Sequence, residues 1–383
     1  MQDIIQKSLP KLEKIRKEIH QFPEVSLNEY ATAKRIEKYL KKYCKGEIIR
    51  IADTGVLLLF DTHKKGKNIL LRADTDALPI IEINDFEYKS KAYGVSHKCG
   101  HDGHTAIMLG VAELLSKFPP ESGKVMLLFQ PAEEDGKGAE VVLKSEFFKK
   151  QEFDYVFALH NLPGFKKNKI VLRSNNFNAN VKSMIIKLEG KTAHAAEPEK
   201  GHNPSLAIAD ILYFSEKLTY NYPEKDDFFL ITPIHLSMGE LAYGISAGSG
   251  EIHLTIRSWD LSLFDEKCKE LEDFIDKSCS KYKLKREISW TQEFYANQNH
   301  SEAVELIRRS AIENNFEIQE MTYPFKWGED FGLFTQKYKG AMFGLGAGES
   351  CPALHNPDYD FPDEITATGI QQFYQLIKEA NKI

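Results

Sequence analysis

The sequence predicts an α/β domain interrupted by a smaller, inserted α+β domain. Its first half alternates short apolar runs with helical patterns, as an α/β layer architecture requires. From about Asn180 the predicted order becomes βαββαβ, and from Glu302 the earlier style resumes. At 383 residues the chain also exceeds the ~100–200 residues of an ordinary single core.

The opening MQDIIQKSLPKLEKIRKEIH has the pattern of an amphipathic helix, not of a signal peptide, which favours the cytoplasm. Helical patterns follow at Asn28–Lys42 and Asp102–Lys117. Gly55–Phe60, Asn68–Arg72 and Lys124–Phe129 are apolar runs bounded by turn residues, and read as buried strands. YVFALH, ending at His160, is a fourth. Strands separated by helices argue for a largely parallel sheet, whose ligands collect at the strands' carboxyl ends. Asp74 and Asp76, Glu133 and Glu134, and His160 all fall at such predicted ends.

In the middle of the chain, VKSMIIKLEG reads as a strand and Pro204–Leu218 as a helix. Phe228–Met238 and Glu251–Ser258 read as strands, Leu263–Tyr282 as a helix and Lys285–Gln292 as a last strand. That order fits a ferredoxin-like unit. A helix at Glu302–Asn314 and the strand GAMFGLG then return to the first domain. The expected boundaries are 1–178 and 292–383 for the α/β domain and 179–291 for the insert, placed in a surface loop.

Composition excludes several classes. The net charge is −6 with no basic block, so nucleic acid is not an expected partner. No apolar run reaches the ~18 residues of a membrane span. The five cysteines are scattered and odd in number, which argues against a disulfide framework. Cys268 and Cys279 lie in a helical stretch and read as buried apolar residues.

Cys99 differs because of its surroundings. HKCGHDGHTA (97–106) gathers three histidines, a cysteine and an aspartate into ten positions. Cys99 and His101 are two apart, so a tight turn can aim both at one ion, whereas a helix would turn them about 200° from each other. FQPAEEDGKGAE sets Glu133 beside Glu134 after an apolar strand. A hydrolytic metal site needs one carboxylate to bind the ion and another to take a proton from water, and two neighbouring glutamates supply both. ALHNLPG places His160 at a strand end, and CPALHNPDYDF places His355 in a proline-bounded turn. Cys99, His101, Glu134, His160 and His355 make five ligands, one too many for a closed tetrahedral ion and natural for two ions sharing a bridge.

Taken together, these motifs resemble the M20 metallopeptidases, in particular the amidohydrolase branch of hippurate hydrolases, N-acyl-amino-acid deacylases and auxin-conjugate hydrolases. The resemblance runs through RKEIHQFPEVSLNEYATAKRI, LRADTDALPI, HKCGHDGHTA, FQPAEEDGKGA, ALHNLPG, GKTAHAAEPEKGHNPS, LTIRSWD, GEDFG and LHNPDYDFPDE, in the expected order. It implies a catalytic α/β domain with a mixed central sheet, and an insert that serves as dimerisation and lid domain. It implies that Cys99, His101, Glu134, His160 and His355 bind metal and that Glu133 is the general base. Asp76 matches the aspartate that supports a metal-binding histidine. Asp74 stands where other branches carry a ligand histidine. Asp102 is expected to orient the loop or cap the following helix, and His104 to lie behind the ligands. His194 matches a histidine that polarises the substrate carbonyl, often from the partner subunit. Arg257 is a candidate for the substrate carboxylate, and Glu329 and Asp330 are expected to order the loop beside the site.

Some positions depart from the family pattern. Leu254 stands where glycine is common, GISAGSGEIH lacks the usual proline-acid turn, and Lys98 replaces a small residue before Cys99. The first two bear on substrate contacts, and the third sets a charge beside the ion. The resemblance thus implies a cytoplasmic homodimeric amidohydrolase with two divalent ions: zinc, manganese or nickel. Its expected substrates are N-acyl amino acids, hippurate-like or N-acetylated. A dipeptidase, a carboxypeptidase or an N-acetyl-diaminopimelate deacetylase of the same fold is the alternative.

Overall fold

The computed structural model describes residues 1–382. They form two compact units: Met1–Phe177, Asn297–Thr322 and the segment from Glu329 make the first, and Asn178–Ala296 with Tyr323–Gly328 the second.

The first unit contains helices α1 (Gln2–Gln21) and α2 (Tyr30–Tyr43), then strands β1 (Glu47–Ile51), β2 (Gly55–Asp61) and β3 (Asn68–Asp74). Helix α3 (His101–Lys117), strand β4 (Lys124–Gln130), helix α4 (Gly138–Lys144), and strands β5 (Tyr155–Pro163) and β6 (Ile170–Leu172) follow. The second unit supplies β7 (Asn180–Glu189), α5 (Ser205–Leu218), β8 (Phe229–Met238), β9 (Ser249–Ser258), α6 (Leu261–Tyr282) and β10 (Lys285–Phe294). The chain ends in the first unit with α7 (Ser301–Glu313), β11 (Ile318–Glu320), α8 (Gly332–Lys337), β12 (Gly340–Gly348) and α9 (Thr366–Asn381).

Eight strands of the first unit form one sheet in the order β1-β2-β4-β3-β5-β12-β6-β11. It is mixed. The β1–β2, β2–β4 and β6–β12 pairs are antiparallel, and the other four are parallel. Strand alternation alone had suggested a largely parallel sheet. On one side the difference arises at the β1–β2 hairpin, where Ala52 and Asp53 take left-handed φ values of 48° and 58° and reverse the chain; on the other, β6 runs against β12. The central strands β3 and β4 are buried on both faces, which is why they read as unbroken apolar runs. Leu71, Leu127 and Phe157 pack with Ile107 and Val111 of α3 and with Phe373 of α9 in one continuous core.

In the second unit the order is β8-β9-β7-β10, antiparallel throughout, with the βαββαβ succession expected of a ferredoxin-like unit. Met184, Ile186, Ile252 and Leu254 face Ile211 of α5 and Leu271 and Ile275 of α6 to form its core. Leu254 is fully buried there, so this departure from the family pattern is a packing residue. Among the described residues no helix is long and apolar enough to cross a membrane.

Candidate metal centre

The site of the first unit collects where β3, β4 and β5 end and α3 begins. Gly100 precedes α3 at φ 91°, and a Cβ there would lie 2.4 Å from Asn161 Nδ2 and 2.7 Å from the Tyr359 hydroxyl. Only glycine fits that turn. It sets Cys99 and His101 on either side of a sharp bend, as their spacing predicted. His160 was expected to close its strand, but β5 continues to Pro163. His160 therefore lies inside the sheet, opposite Gly344 of β12.

Hydrogen bonds fix which nitrogen each histidine presents. His101 Nδ1 lies 3.0 Å from the Asp76 carbonyl and 3.3 Å from its carboxylate, so it donates there and Nε2 is the nitrogen left for another partner. His160 Nδ1 donates to the Asn161 carbonyl at 2.8 Å, with Nε2 3.5 Å from Cys99 Sγ. His104 is used at both ends. Its Nε2 accepts the Asn161 N–H at 3.1 Å and its Nδ1 donates to Asp74 at 2.6 Å. Asp74 also receives Arg72 Nη1 at 2.6 Å.

His101 Nε2 and Glu134 Oε1 are buried without any hydrogen-bond partner, 3.7 Å apart. Glu133 Oε2 lies 3.9 Å from the same nitrogen, and His355 Nε2 lies 3.7 Å from Glu134 Oε2. These separations exceed a hydrogen bond and suit donors facing a shared cation. Two groups of possible ligand atoms share one cysteine: Cys99, His101 and His160, and Cys99, Glu134 and His355. All five metal-binding candidates are thus brought together.

The electrostatics carry the same demand. Burial pushes the Glu133 carboxyl well up, with Glu329 and Glu134 adding to it and Arg72 opposing. Burial raises Glu134 to about 8. Burial and the nearby Glu134 carboxylate hold the Cys99 thiol well above its usual range. Buried carboxylates and a thiol that resist ionisation are what a divalent cation reverses, so the donors fit a metal.

The surrounding residues divide clearly. Asp76 Oδ2 accepts the Glu134 N–H at 3.0 Å and the Ser26 hydroxyl at 2.7 Å. Asp102 does not cap α3, which has no side-chain cap; its carboxylate instead accepts from Arg16 at 3.1 Å and His20 at 2.9 Å. Glu329 and Asp330 bond Arg72 at 2.9 and 2.8 Å. The Lys98 ammonium bonds Glu82, Asn84 and the Tyr359 carbonyl, so its charge is compensated within the fold. His194 and Arg257 belong to the second unit. His194 is exposed and accepts the Ala196 N–H on Nδ1 at 3.0 Å. Arg257 Nε donates to the Lys326 carbonyl at 2.9 Å, and among the described residues no carboxylate pairs with it.

Sequence reasoning missed three residues of this assembly. Arg72 was hidden in an apolar strand. Asn161 bonds Cys99, His104, His160 and Tyr359, and its only signal was its place after His160. Glu29 accepts the N–H of Ala132 at 2.8 Å, where Ala132 holds a left-handed φ of 55° just before Glu133.

With this geometry in place, comparison with known proteins identifies the class. The model of peptidase family M20/M25/M40 matches residues 70–379. A hippurate hydrolase of Campylobacter jejuni is 30% identical over 95% of both chains. An N-acetyldiaminopimelate deacetylase of Bacillus licheniformis is 30% identical over 95% of this chain and 96% of its own. A crystal structure from Bacillus subtilis, described as a dinuclear metal-binding peptidase of the M20 family, superposes with a TM-score of 0.83. It is 24% identical and the match covers 98% of this chain and 99% of that one. The chain belongs to the M20/M25/M40 peptidase family, and is a metal-dependent hydrolase of amide bonds.

Proposed function

We propose that the protein is a binuclear amidohydrolase that cleaves N-acyl amino acids, hippurate-like or N-acetylated, into a carboxylic acid and a free amino acid. The observation that carries this reading is Glu133, a buried carboxylate beside two ligand groups that share Cys99. In it, Cys99, His101 and His160 hold one ion, and Cys99, Glu134 and His355 hold the other. Thiolate and imidazole donors suit zinc, and the carboxylate admits manganese. Bound divalent ions supply Lewis acidity, polarising the amide carbonyl and bringing the pKa of water toward about 7.

The chain's own residues do the rest. Glu133 Oε2 takes a proton from the attacking water and returns it to the leaving nitrogen. Asp76 orients His101 through Nδ1, and His194 donates from Nε2 to the developing oxyanion. Arg257, without a carboxylate partner, binds the amino-acid carboxylate. The second unit, residues 179–291 by the sequence boundaries, acts as lid and dimerisation domain. Ile234, Leu236 and Met238 are exposed on its edge strand β8, near the exposed Leu241 and Tyr243, which supports a homodimer. The five free cysteines suit a reducing cytoplasm.

A panel of hippurate, N-acetyl amino acids, N-acetyl-diaminopimelate and dipeptides, assayed with Zn²⁺ or Mn²⁺, tests the substrate. Turnover of dipeptides alone would refute the deacylase reading. Preference for N-acetyl-diaminopimelate would favour the second reading, which the equally similar Bacillus licheniformis relative supports.

A further inference from the structure

Lys98 lies between His97 and Cys99, with its side chain fully buried. Its ammonium donates to Glu82 Oε1 at 2.5 Å, to Asn84 Oδ1 at 2.7 Å and to the Tyr359 carbonyl at 2.7 Å. All three protons of the head group are used. At the other end of the residue, the Lys98 carbonyl accepts the His355 N–H at 2.7 Å. The turn from His355 to Tyr359 is therefore fastened at both its ends to one residue, the neighbour of Cys99.

That turn needs an external hold. His355 adopts a left-handed φ of 66°, a conformation that costs free energy for a residue with a Cβ and persists only when its surroundings enforce it. Its side chain is 52% exposed, so packing does little to fix it. The segment around Asn84 adds support, since Asn84 Nδ2 donates to the Asp358 carbonyl at 2.8 Å and the Ile83 N–H to the Pro357 carbonyl at 3.2 Å. Lys98 joins that segment to the turn, and Glu82, which compensates its charge, is in turn bonded to His20 at 3.0 Å.

We propose that Lys98 is a positioning residue that holds the His355–Tyr359 turn in register for the ion of the Cys99, Glu134 and His355 group. The Cys99, His101 and His160 group does not depend on it. A neutral side chain of similar length would keep the backbone bond to His355 but release Tyr359, so His355 would sample other orientations. The inference rests on the reading of His355 as a ligand, and the controls separate the two.

The test titrates metal-free protein with Co²⁺, followed by visible absorption, for the parent chain, His355→Ala, Lys98→Met and Asn84→Ala. Amide hydrogen exchange of the 355–359 segment and of α3 is measured alongside. The parent should take up two ions, and His355→Ala should lose or weaken one. Lys98→Met should weaken that same ion about tenfold or more, leave the other unchanged, and speed exchange in 355–359 but not in α3. Asn84→Ala, which removes one acceptor of Lys98 and the Asn84 bond to the Asp358 carbonyl, should shift both readouts the same way, and its matching the parent would refute the hold on the turn if Lys98→Met fails to fold. If His355→Ala retains both ions, the ligand reading falls and this proposal with it. If His355→Ala loses one ion while the other variants match the parent, or weaken both ions equally, the role of Lys98 is refuted and the ligand reading stands.

Discussion

His101 Nδ1 sits 3.0 Å from the carbonyl oxygen of Asp76, and this bond turns Nε2 toward Glu134. The same aspartate accepts the Glu134 N–H, so one residue orients two proposed ligands. Asp76→Ala keeps the carbonyl bond to His101 but removes the carboxylate contact at 3.3 Å and the acceptor of the Glu134 N–H, so metal affinity should fall about 10-fold. Competition with a chromophoric chelator measures this, and unchanged affinity would remove Asp76 from the ligand support.

In the proposed mechanism Glu133 moves a proton and does not hold an ion. Glu133→Gln should abolish hydrolysis while leaving close to two metal equivalents bound, since the amide keeps the shape but cannot accept the proton. Elemental analysis and single-turnover kinetics separate the two effects. Turnover at the parent rate would refute the mechanism.

Gly103 marks where α3 meets the C-terminal segment. A Cβ at this position would lie 2.2 Å from ring carbons of Phe361, which is buried. Gly103→Ala should therefore destabilise the first unit by about 1–3 kcal/mol through overpacking. Phe361→Leu in the same chain should recover part of that loss, as read by urea denaturation. No change in the single variant would show that the helix can shift freely at this contact.

His20 gives a pH signature. Burial disfavours its charged form, but hydrogen bonds from its ring to Asp102 and Glu82 prevail and raise it to about 9. A pKa raised above the unfolded value of about 6.5 contributes stability that is complete below pH 6.5 and lost as pH rises through 9. The contribution is at most about 3 kcal/mol. His20→Gln should flatten the fall in unfolding free energy between pH 6.5 and 9. An identical slope in parent and variant would rule out the charged imidazole.

Metal removal should also be visible in stability. A chelator should take away the cation proposed to sit between Cys99, His101, Glu134, His160 and His355, so the thermal midpoint should drop and recover on adding Zn²⁺ or Mn²⁺. Equal midpoints with and without chelator would contradict a metal bound by these groups.

Much of the fold is legible in the sequence. The runs 55–60, 68–72 and 124–129 became β2, β3 and β4 because fully buried strands have no polar face to interrupt the pattern. The βαββαβ unit was visible for a related reason: turn residues separate its elements and each period is long enough to read. The β1 strand EIIRI was not read, since it is short and half-exposed at the sheet edge. The mixed sheet came from the family resemblance and not from the strand pattern, because hydrophobicity has no sign along the chain.

The sequence by itself determined which residue types could do chemistry: Cys99, His101, Glu133, Glu134, His160 and His355 stand out by kind and by turn context. Only the tertiary structure decided which of their atoms are already bonded. His104 resembles a ligand as much as His101 does, yet Asp74 and Asn161 occupy both of its nitrogens while His101 keeps Nε2 unpartnered. Asp102 resembled a cap and proved to be the partner of Arg16 and His20. The physical reason is that a side chain's role depends on which of its atoms are already bonded. Those bonds join residues as distant in sequence as Arg72 and Glu329, which only the folded chain brings within reach.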